Sequence, residues 1–428
     1  MIAKKKVCII GLGYVGLPLA CLCARKGYDV TGLDINKKIV EQIRAGISPI
    51  KDAFLQKEVR SLKNKLKVTI EASEAIPSAD VIIICVPTPV DNKFHPNLKY
   101  VEAAGQSIAK YLRHGQLIVL ESTVNPGTTE DTLKPIMEQS GLKTGTDFHL
   151  AHCPERIDLG NKKWTLRNIP RVIGSTTTKG ALLAKMFYAS IIDAEILMLK
   201  GPKEAEATKI MENSFRDINI AFINEMAKSF DKAGIDITEV IKGASTKPFA
   251  FLPHYPGCGV GGHCIPVDPY YLIEGAKKFH FEHKFLELAR KINESMPEYT
   301  ISLLAEELNN LGKSIKGSNI GVYGIAYKKD VDDARESPSL EIIRLLEEKG
   351  ANLSIYDPYA KSKNNVASFG DFLKKSNYIV LATNHTEFTT LKLRKLKENG
   401  IKIIIDGRNC LDKEKMQSLG IIYKGIGR

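Results

Sequence analysis

The 428-residue sequence predicts an α/β fold built on two doubly wound sheets, and three observations carry that reading. From residue 5 to residue 152, short apolar runs alternate with helix-like segments bearing Lys and Glu. That rhythm belongs to a parallel sheet covered on both faces. Residues 203–231 then keep a helical apolar period without interruption, and from residue 319 the strand–helix rhythm starts again. The expectation is two Rossmann-like doubly wound sheets joined by a long central helix.

Taken in chain order, residues 5–10 read as a buried strand, followed by the turn GLGYVG (11–16) and a helix to about residue 26. A second strand, Asp29–Asp34, ends on an acid, and DVIIICV (80–86), LIVLE (117–121) and FHLAH (148–152) read as further strands. The central helical pattern places Ile210, Met211, Phe215, Ile218, Phe222, Ile223, Met226 and Phe230 at helical spacing and stops at Gly234. A second long helical region spans 283–311. Beyond it come NIGVYGIAY, SLEIIRLLEEKG, ANLSIYDP, FGDFLKKSN, YIVLATN and IKIIIDGRN. Boundaries fall near residues 200 and 315, giving domains 1–200, 201–314 and 315–428.

Bulk properties narrow the function. A chain of this length exceeds one ordinary core, and 43% hydrophobic with 26% charged residues is normal for a soluble globular protein. The formal charge of +12 suits an acidic partner. Its lysines are scattered, and no zinc-finger spacing, basic zipper or RNA-binding aromatic box is present. A small anionic ligand is therefore expected rather than nucleic acid, although a solvated Lys-rich surface accounts for much of the excess. Eight cysteines, at 8, 21, 23, 85, 153, 258, 264 and 410, form no C-x-x-C pair, as expected in a reducing cytosol. No metal is expected. The uncharged run 7–24 after Lys4, Lys5 and Lys6 imitates a signal peptide or membrane span. Gly11, Gly13, Gly16 and Pro18 cut it into strand, turn and helix, so the chain reads as cytoplasmic with no membrane partner.

Chemistry concentrates in four places. GLGYVG follows a strand and opens a helix, the context in which glycines make a tight turn, admit a pyrophosphate and pack helix on sheet. Asp34 ends the next strand, where a carboxylate accepts from ribose hydroxyls and repels a 2′-phosphate; this favours NAD over NADP. Thr88 in CVPTP and Thr123 in ESTVNPGTT end strands at the carboxyl edge of the sheet and could reach the cofactor or act as ordinary turn residues. PGCGVGGHCIPVDPYYL (256–272) sets four glycines before Cys264 with no regular period. His263 precedes the cysteine and Asp268 lies four residues on, so a nucleophilic thiolate with a water-activating carboxylate is one reading. An inert structural cysteine is equally compatible with composition, and a metal set of Cys258, His263, Cys264 and Asp268 lacks standard ligand spacing. Lys209, Asn213 and Arg216 share a narrow arc of the central helix, suited to an anionic or polyhydroxyl ligand, or else to a solvated polar stripe.

In order along the chain, GLGYVG, CVPTP, ESTV-PGTT, H-C-P-E-R, K-x-x-x-N-x-F-R-D, GGHCIPVDPYYL, GIAYKKDVDDARESPS and YDP…DGRN resemble the UDP-glucose/UDP-mannuronic-acid dehydrogenase family over essentially the whole chain. The resemblance implies an N-terminal NAD-binding domain, a central helical domain forming a homodimer and carrying the catalytic loop, and a C-terminal UDP-binding domain. It implies a four-electron oxidation of a sugar C6 alcohol to a carboxylate with two NAD, for polysaccharide precursors. Cys264 matches the nucleophile that forms a thiohemiacetal and then a thioester, Lys209 the lysine that steadies the oxyanion or exchanges protons, and Asn213 its hydrogen-bonding partner. Glu155 matches a general acid/base and Asp268 the carboxylate near the water. Gly11, Gly13, Tyr14, Val15, Gly16, Asp34, Thr88, Thr123 and Arg335 fall at cofactor positions. Arg156, Lys209, Asn213, Arg216, His263, Tyr327, Lys328 and Arg408 fall at substrate positions.

Departures from the pattern refine the substrate. UDP-glucose members read G-G-S-C-F-x-K-D, where this chain has His263 at the serine and Val267 at the lysine, and Leu159 stands at the second glutamate of P-E-F-L-x-E-G. With Arg216, these resemble the branch acting on UDP-N-acetylhexosamines, and the PVDPYYL ending looks closer to UDP-N-acetylglucosamine members than to UDP-N-acetylmannosamine ones. Two rival classes are a two-electron β-hydroxyacid dehydrogenase, which would not need a glycine-wrapped cysteine or a second sheet, and a nucleotide-binding sensor without chemistry.

Overall fold

The computed structural model describes residues 5–91, 94–157, 161 and 163–428. The chain divides into two compact units, Met1–Glu212 with Tyr270–Glu282, and Asn213–Pro269 with His283–Arg428.

The first unit holds an eight-stranded sheet of β1 (Lys6–Ile10), β2 (Asp29–Leu33), β3 (Leu66–Thr69), β4 (Val81–Ile84), β5 (Leu117–Leu120), β6 (His149–His152), β7 (Arg171–Ser175) and β8 (Ile196–Met198). Their spatial order is β3-β2-β1-β4-β5-β6-β7-β8. VIII in β4 and LIVL in β5 are buried at every residue, as strands covered on both faces must be. After β3 the chain crosses back past β1 to lay down β4. The order therefore reverses between β1 and β4, and loops at the carboxyl ends of those two strands border a ready-made crevice.

The second unit holds a five-stranded parallel sheet: β9 (Asn319–Tyr323), β10 (Asn352–Tyr356), β11 (Tyr378–Leu381), β12 (Ile403–Asp406) and β13 (Ile422–Gly425), in the order β10-β9-β11-β12-β13. Here the order reverses between β9 and β11, so a second crevice opens past their carboxyl ends.

The helix Pro202–Lys232 is continuous, and the division between units falls within it. It buries Ile210, Ala221, Ile223 and Ala227 but leaves Met211, Phe215 and Phe222 about half exposed or more, all on one face. It ends where expected: Gly234 takes φ +71° and the Ile235 N–H turns back to the Phe230 carbonyl at 2.9 Å. In the second unit this helix is anchored by Asp217, whose buried carboxylate accepts from Arg290 Nη1 at 2.7 Å and Asn293 Nδ2 at 2.9 Å.

Four expectations need correction. The first sheet is not wholly parallel, because β7 runs antiparallel to β6. The helical region 283–311 is two helices, Lys284–Glu294 and Met296–Asn310, because Pro297 has no N–H to continue the ladder and instead sits in the first turn of the second helix. Strands β3, β7, β8 and β13 went unread; each has three to five residues, and Lys67, Arg171 or Lys424 breaks the apolar run in three of them. Strand β2 stops at Leu33, leaving Asp34 just beyond it. Residues 7–24 do divide into β1, a glycine turn and the helix Gly16–Arg25. Among the described residues no helix is long and apolar enough to cross a membrane.

Removing Asp217 takes the 2.7 Å partner from the buried Arg290 guanidinium, which keeps Glu294 at 3.1 Å, a loss of roughly 1.5–3 kcal/mol. Asp217→Ala should lower the urea midpoint of the second unit accordingly. A midpoint unchanged from the parent protein would contradict this anchoring role.

Candidate active site

In the first crevice the glycines of GLGYVG have distinct causes. A Cβ on Gly11, which has φ +90°, would stand 2.6 Å from the Cys85 carbonyl oxygen, and one on Gly16 would stand 1.9 Å from the Gly11 oxygen. Strand, turn and helix are therefore in backbone contact. Gly13 meets nothing within 4 Å and is exposed. Open space before a glycine at a helix N-terminus fits a dinucleotide pyrophosphate, which needs free N–H groups and no side chain. Tyr14 and Val15 complete the turn, Tyr14 exposed. Asp34 faces back onto it: one carboxylate oxygen accepts the Leu12 N–H at 2.8 Å and the other the Asn36 N–H at 2.8 Å. Each oxygen retains acceptor capacity for a ribose hydroxyl. Thr88 and Thr123 are half-buried just past β4 and β5, and the Thr88 carbonyl accepts the Tyr271 hydroxyl. These residues fit NAD.

Behind this crevice lies a charge network that sequence reading missed. Glu155 presents one oxygen to the backbone N–H groups of Arg156 and Ile157, both at 2.6 Å, and the other to Arg171 Nη2 at 2.7 Å. Arg171 is fully buried and also lies 3.9 Å from Glu121, which accepts from the Tyr188 hydroxyl. Burial pushes Glu121 up to about 7, against the pull of Arg171. The only sequence signal was a charged residue opening the otherwise apolar RVIGS. Arg156 is pinned to Glu212 of the central helix by two side-chain hydrogen bonds and to the Pro170 carbonyl at 2.9 Å. Lys209 lies half-buried on that helix, one turn before Asn213.

In the second unit, the glycine-rich loop is pressed against the C-terminal sheet. A Cβ on Gly261 would sit 2.7 Å from Tyr327 Cβ, and one on Gly262, with φ +87°, would sit 2.9–3.2 Å from the Tyr327 ring. Gly262 donates its N–H to the Arg335 carbonyl at 3.0 Å, and Gly257 to Asn224 Oδ1 at 3.0 Å. These glycines admit neighbouring protein as well as any ligand. The loop presents Cys264 half-exposed, with both ring nitrogens of the exposed His263 at 3.7–3.8 Å from its sulfur. Asp268, 3% exposed, opens the helix Asp268–Lys277; its N–H donates to the Cys264 carbonyl at 2.8 Å, and its carboxylate accepts from Asn213 Nδ2. Burial raises the pKa of Cys8, Cys21, Cys23, Cys85, Cys153, Cys258 and Cys410 and keeps them protonated.

The second crevice collects Tyr327, Lys328 and Arg408. Arg408 donates from Nε to the Ala382 carbonyl at 2.8 Å and from Nη2 to the Tyr327 carbonyl at 3.3 Å, so loops after β9, β11 and β12 are tied together. Arg335 is exposed and holds Asp333 through Nε at 2.9 Å and Nη2 at 2.6 Å. Arg216 is exposed on the central helix. Leu159 lies outside the described residues. Among the described residues no group of three or more His, Cys, Asp or Glu could hold a metal ion.

Comparison with known proteins gives three matches in succession to the UDP-glucose/GDP-mannose dehydrogenase family: its NAD-binding domain over residues 5–192, its central domain over 203–295 and its UDP-binding domain over 321–413. A UDP-N-acetyl-D-mannosamine dehydrogenase of Pyrococcus horikoshii is 38% identical over 99% of both chains. A solved structure of the UDP-D-ManNAc dehydrogenase of that organism superposes with a TM-score of 0.92, with 38% identity and 99% of each chain covered. A UDP-N-acetyl-D-glucosamine 6-dehydrogenase of Pseudomonas aeruginosa is 34% identical over 96% of this chain and 98% of its own.

Asp34 carries a direct test of the first crevice. Asp34→Ala should weaken NAD binding about tenfold and raise relative use of NADP, since a ribose acceptor and a repulsive charge vanish together. Titration of both cofactors checks it; unchanged affinities would remove Asp34 from the cofactor site.

Proposed function

This chain belongs to the UDP-glucose/GDP-mannose dehydrogenase family of NAD-dependent oxidoreductases, and we propose that it oxidises C6 of a UDP-N-acetylhexosamine to the uronic acid through a covalent bond to Cys264. The observation that carries the covalent route is the placement of Cys264, half-exposed on a glycine-packed loop with both His263 ring nitrogens 3.7–3.8 Å from its sulfur, whereas six of the other seven cysteines are buried and Cys410 is held against Asp406. We assign residues 1–200 to the cofactor, 201–314 to dimerisation and the catalytic loop, and 315–428 to UDP.

Bound NAD supplies the acceptor for the hydride lost from C6 at each oxidation. Lys209 accepts the hydroxyl proton of the C6 alcohol as it becomes an aldehyde, or steadies the alkoxide while that proton passes to solvent. The Cys264 sulfur adds to the aldehyde carbon and gives a thiohemiacetal, whose second oxidation leaves a thioester. Asp268, held by Asn213, orients the water that cleaves the thioester and returns the thiol. Glu155 was matched by resemblance to a general acid/base. Its three hydrogen bonds to Arg156, Ile157 and Arg171 favour a positioning role behind the cofactor crevice. Tyr327, Lys328 and Arg408 bind the UDP moiety, and Arg335 lies at a cofactor position.

Substrate choice rests on His263 and Arg216, which replace the smaller or different groups of the glucose pattern and can serve an acetamido carbonyl. Sequence motifs alone leaned towards UDP-N-acetylglucosamine. The relatives named for UDP-N-acetylmannosamine are the more similar, at 38% against 34% identity, and favour the mannosamine epimer. The glucosamine epimer is the second reading, kept by PVDPYYL (266–272) and by the Pseudomonas relative. The exposed stripe of Met211, Phe215 and Phe222 supports a homodimer built on the central helix. A cytoplasmic place and a polysaccharide-precursor product complete the reading.

Cys264→Ala should abolish carboxylate formation while NAD and UDP-sugar still bind, because only the sulfur is lost. Near-normal acid production by this variant would overturn the covalent route. Against a panel of UDP-sugars, kcat/KM for an N-acetylhexosamine should exceed that for UDP-glucose by about ten- to a hundredfold, the value of one or two buried hydrogen bonds. Equal turnover of UDP-glucose would remove the hexosamine assignment and leave family membership untouched.

A further inference from the structure

We propose that His385 is a positioning residue of the second crevice, holding the turn that carries Tyr327 and Lys328 in the geometry that grips a uridine diphosphate. The inference rests on the assignment of those two residues and Arg408 to UDP made above.

His385 lies just past β11 with its side chain fully buried. Its two ring nitrogens have partners of opposite kind. Nδ1 accepts the Asp330 backbone N–H at 2.9 Å, so it carries no proton there. Nε2 lies 3.0 Å from the Asp357 carboxylate, which in its ionised form can only accept, so Nε2 is the donor. The imidazole thereby bridges a backbone donor and a carboxylate acceptor. Asp357 is itself fixed by four backbone N–H groups: Ile325 and Ala326 on one oxygen at 2.6 and 2.8 Å, Tyr359 and Ala360 on the other, both at 2.7 Å. Burial opposes ionisation of Asp357, but the hydrogen bonds from His385, Ala326 and Ala360 outweigh it and hold the carboxyl well below its ordinary value.

At the other end of the bridge, Asp330 is the strained member. It takes φ +57°, a left-handed conformation that a side-chain-bearing residue keeps only when its surroundings enforce it. The enforcement comes from the β11 loop. His385 takes the Asp330 N–H, while the Thr386 N–H (2.9 Å) and hydroxyl bind the Asp330 carboxylate. One imidazole thus links residues at the carboxyl ends of β9, β10 and β11, which border the crevice. Lys328 lies two residues before Asp330, and Tyr327 one further, where its carbonyl accepts from Arg408. Loss of the bridge frees a strained turn to relax, and the cation and carbonyl it carries move with it. The sheet beneath is held by its own strand pairing.

The test measures UDP affinity by calorimetry for the parent enzyme, His385→Phe and His385→Gln. NAD affinity, kcat at saturating sugar and melting temperature accompany it. His385→Phe should weaken UDP at least about tenfold, the equivalent of one buried hydrogen bond. It should leave NAD affinity unchanged and kcat within about threefold. His385→Gln offers a carbonyl to Asp330 and an amide to Asp357, and should recover most of the loss. The proposal is overturned by a UDP affinity within twofold of the parent in His385→Phe. It is equally overturned if UDP affinity, NAD affinity and kcat fall together, or if His385→Gln melts like the parent yet binds UDP no better than His385→Phe. A parent enzyme that does not bind UDP would instead sink the assignment of the crevice, and this inference with it.

Discussion

At Gly259, Gly261 and Gly262 the backbone runs so close to Pro338 and Tyr327 that no side chain fits between them, and the proposed chemistry depends on that contact. A Cβ at Gly259 would stand 3.0 Å from Pro338, and those at Gly261 and Gly262 would enter Tyr327. Close packing therefore limits how far the loop can shift, and the thiol it ends on is held beside the turn after β9. Fixing a nucleophile on such a frame reduces the entropy lost when it attacks. The same wall belongs to the turn assigned to UDP, so the loop proposed to carry the nucleophile and the turn proposed to hold the nucleotide share one reference surface. Asp268 and Asn213 extend the frame by tying the start of the next helix to the central helix.

Each sheet supplies its binding site by the same topological means. Strand order reverses once in each, between β1 and β4 and between β9 and β11, and the loops past those points are free to carry specific residues. In the first unit the result is a glycine turn backed by Asp34. Beneath it Glu121, Arg171 and Glu155 sit buried, a cation between two acids. Isolated, any of the three would be costly to bury; the opposite charges offset one another, Arg171 Nη2 bonds Glu155 and the Tyr188 hydroxyl bonds Glu121, while Arg171 Nε and Nη1 keep no hydrogen-bond partner among the described residues. Such a network ties the ends of β5, β6 and β7 together behind the crevice.

What the sequence made legible followed from local rules. GLGYVG and Asp34 were readable because the turn and the acid sit at fixed offsets from apolar strands, and Cys264 because glycines stood where no secondary structure could use them. The central helix was readable from its period, though not that Met211, Phe215 and Phe222 face outward, since an apolar stripe looks the same whether covered by its own chain or left for another. The break at Ser295 was signalled by Pro297 but passed over, as the apolar period continues on both sides. The roles of Arg171, Glu121 and His385 were not legible beyond the lone charge that opens RVIGS. Their roles come from partners far away in sequence, and a buried charge inside an apolar run resembles an edge residue until its partner is seen. Glu155 was found by its motif, but its three hydrogen bonds were not.

The account turns on one enzyme carrying the sugar through two oxidations without releasing the aldehyde, which is why a thiol is needed. The measurement that bears on this most directly is the number of NADH formed per UDP-sugar consumed, followed in a single reaction to completion. The account predicts two, with the uronic acid as product and no free aldehyde trapped by added hydroxylamine. One NADH per sugar, with aldehyde recovered as the oxime, would contradict it.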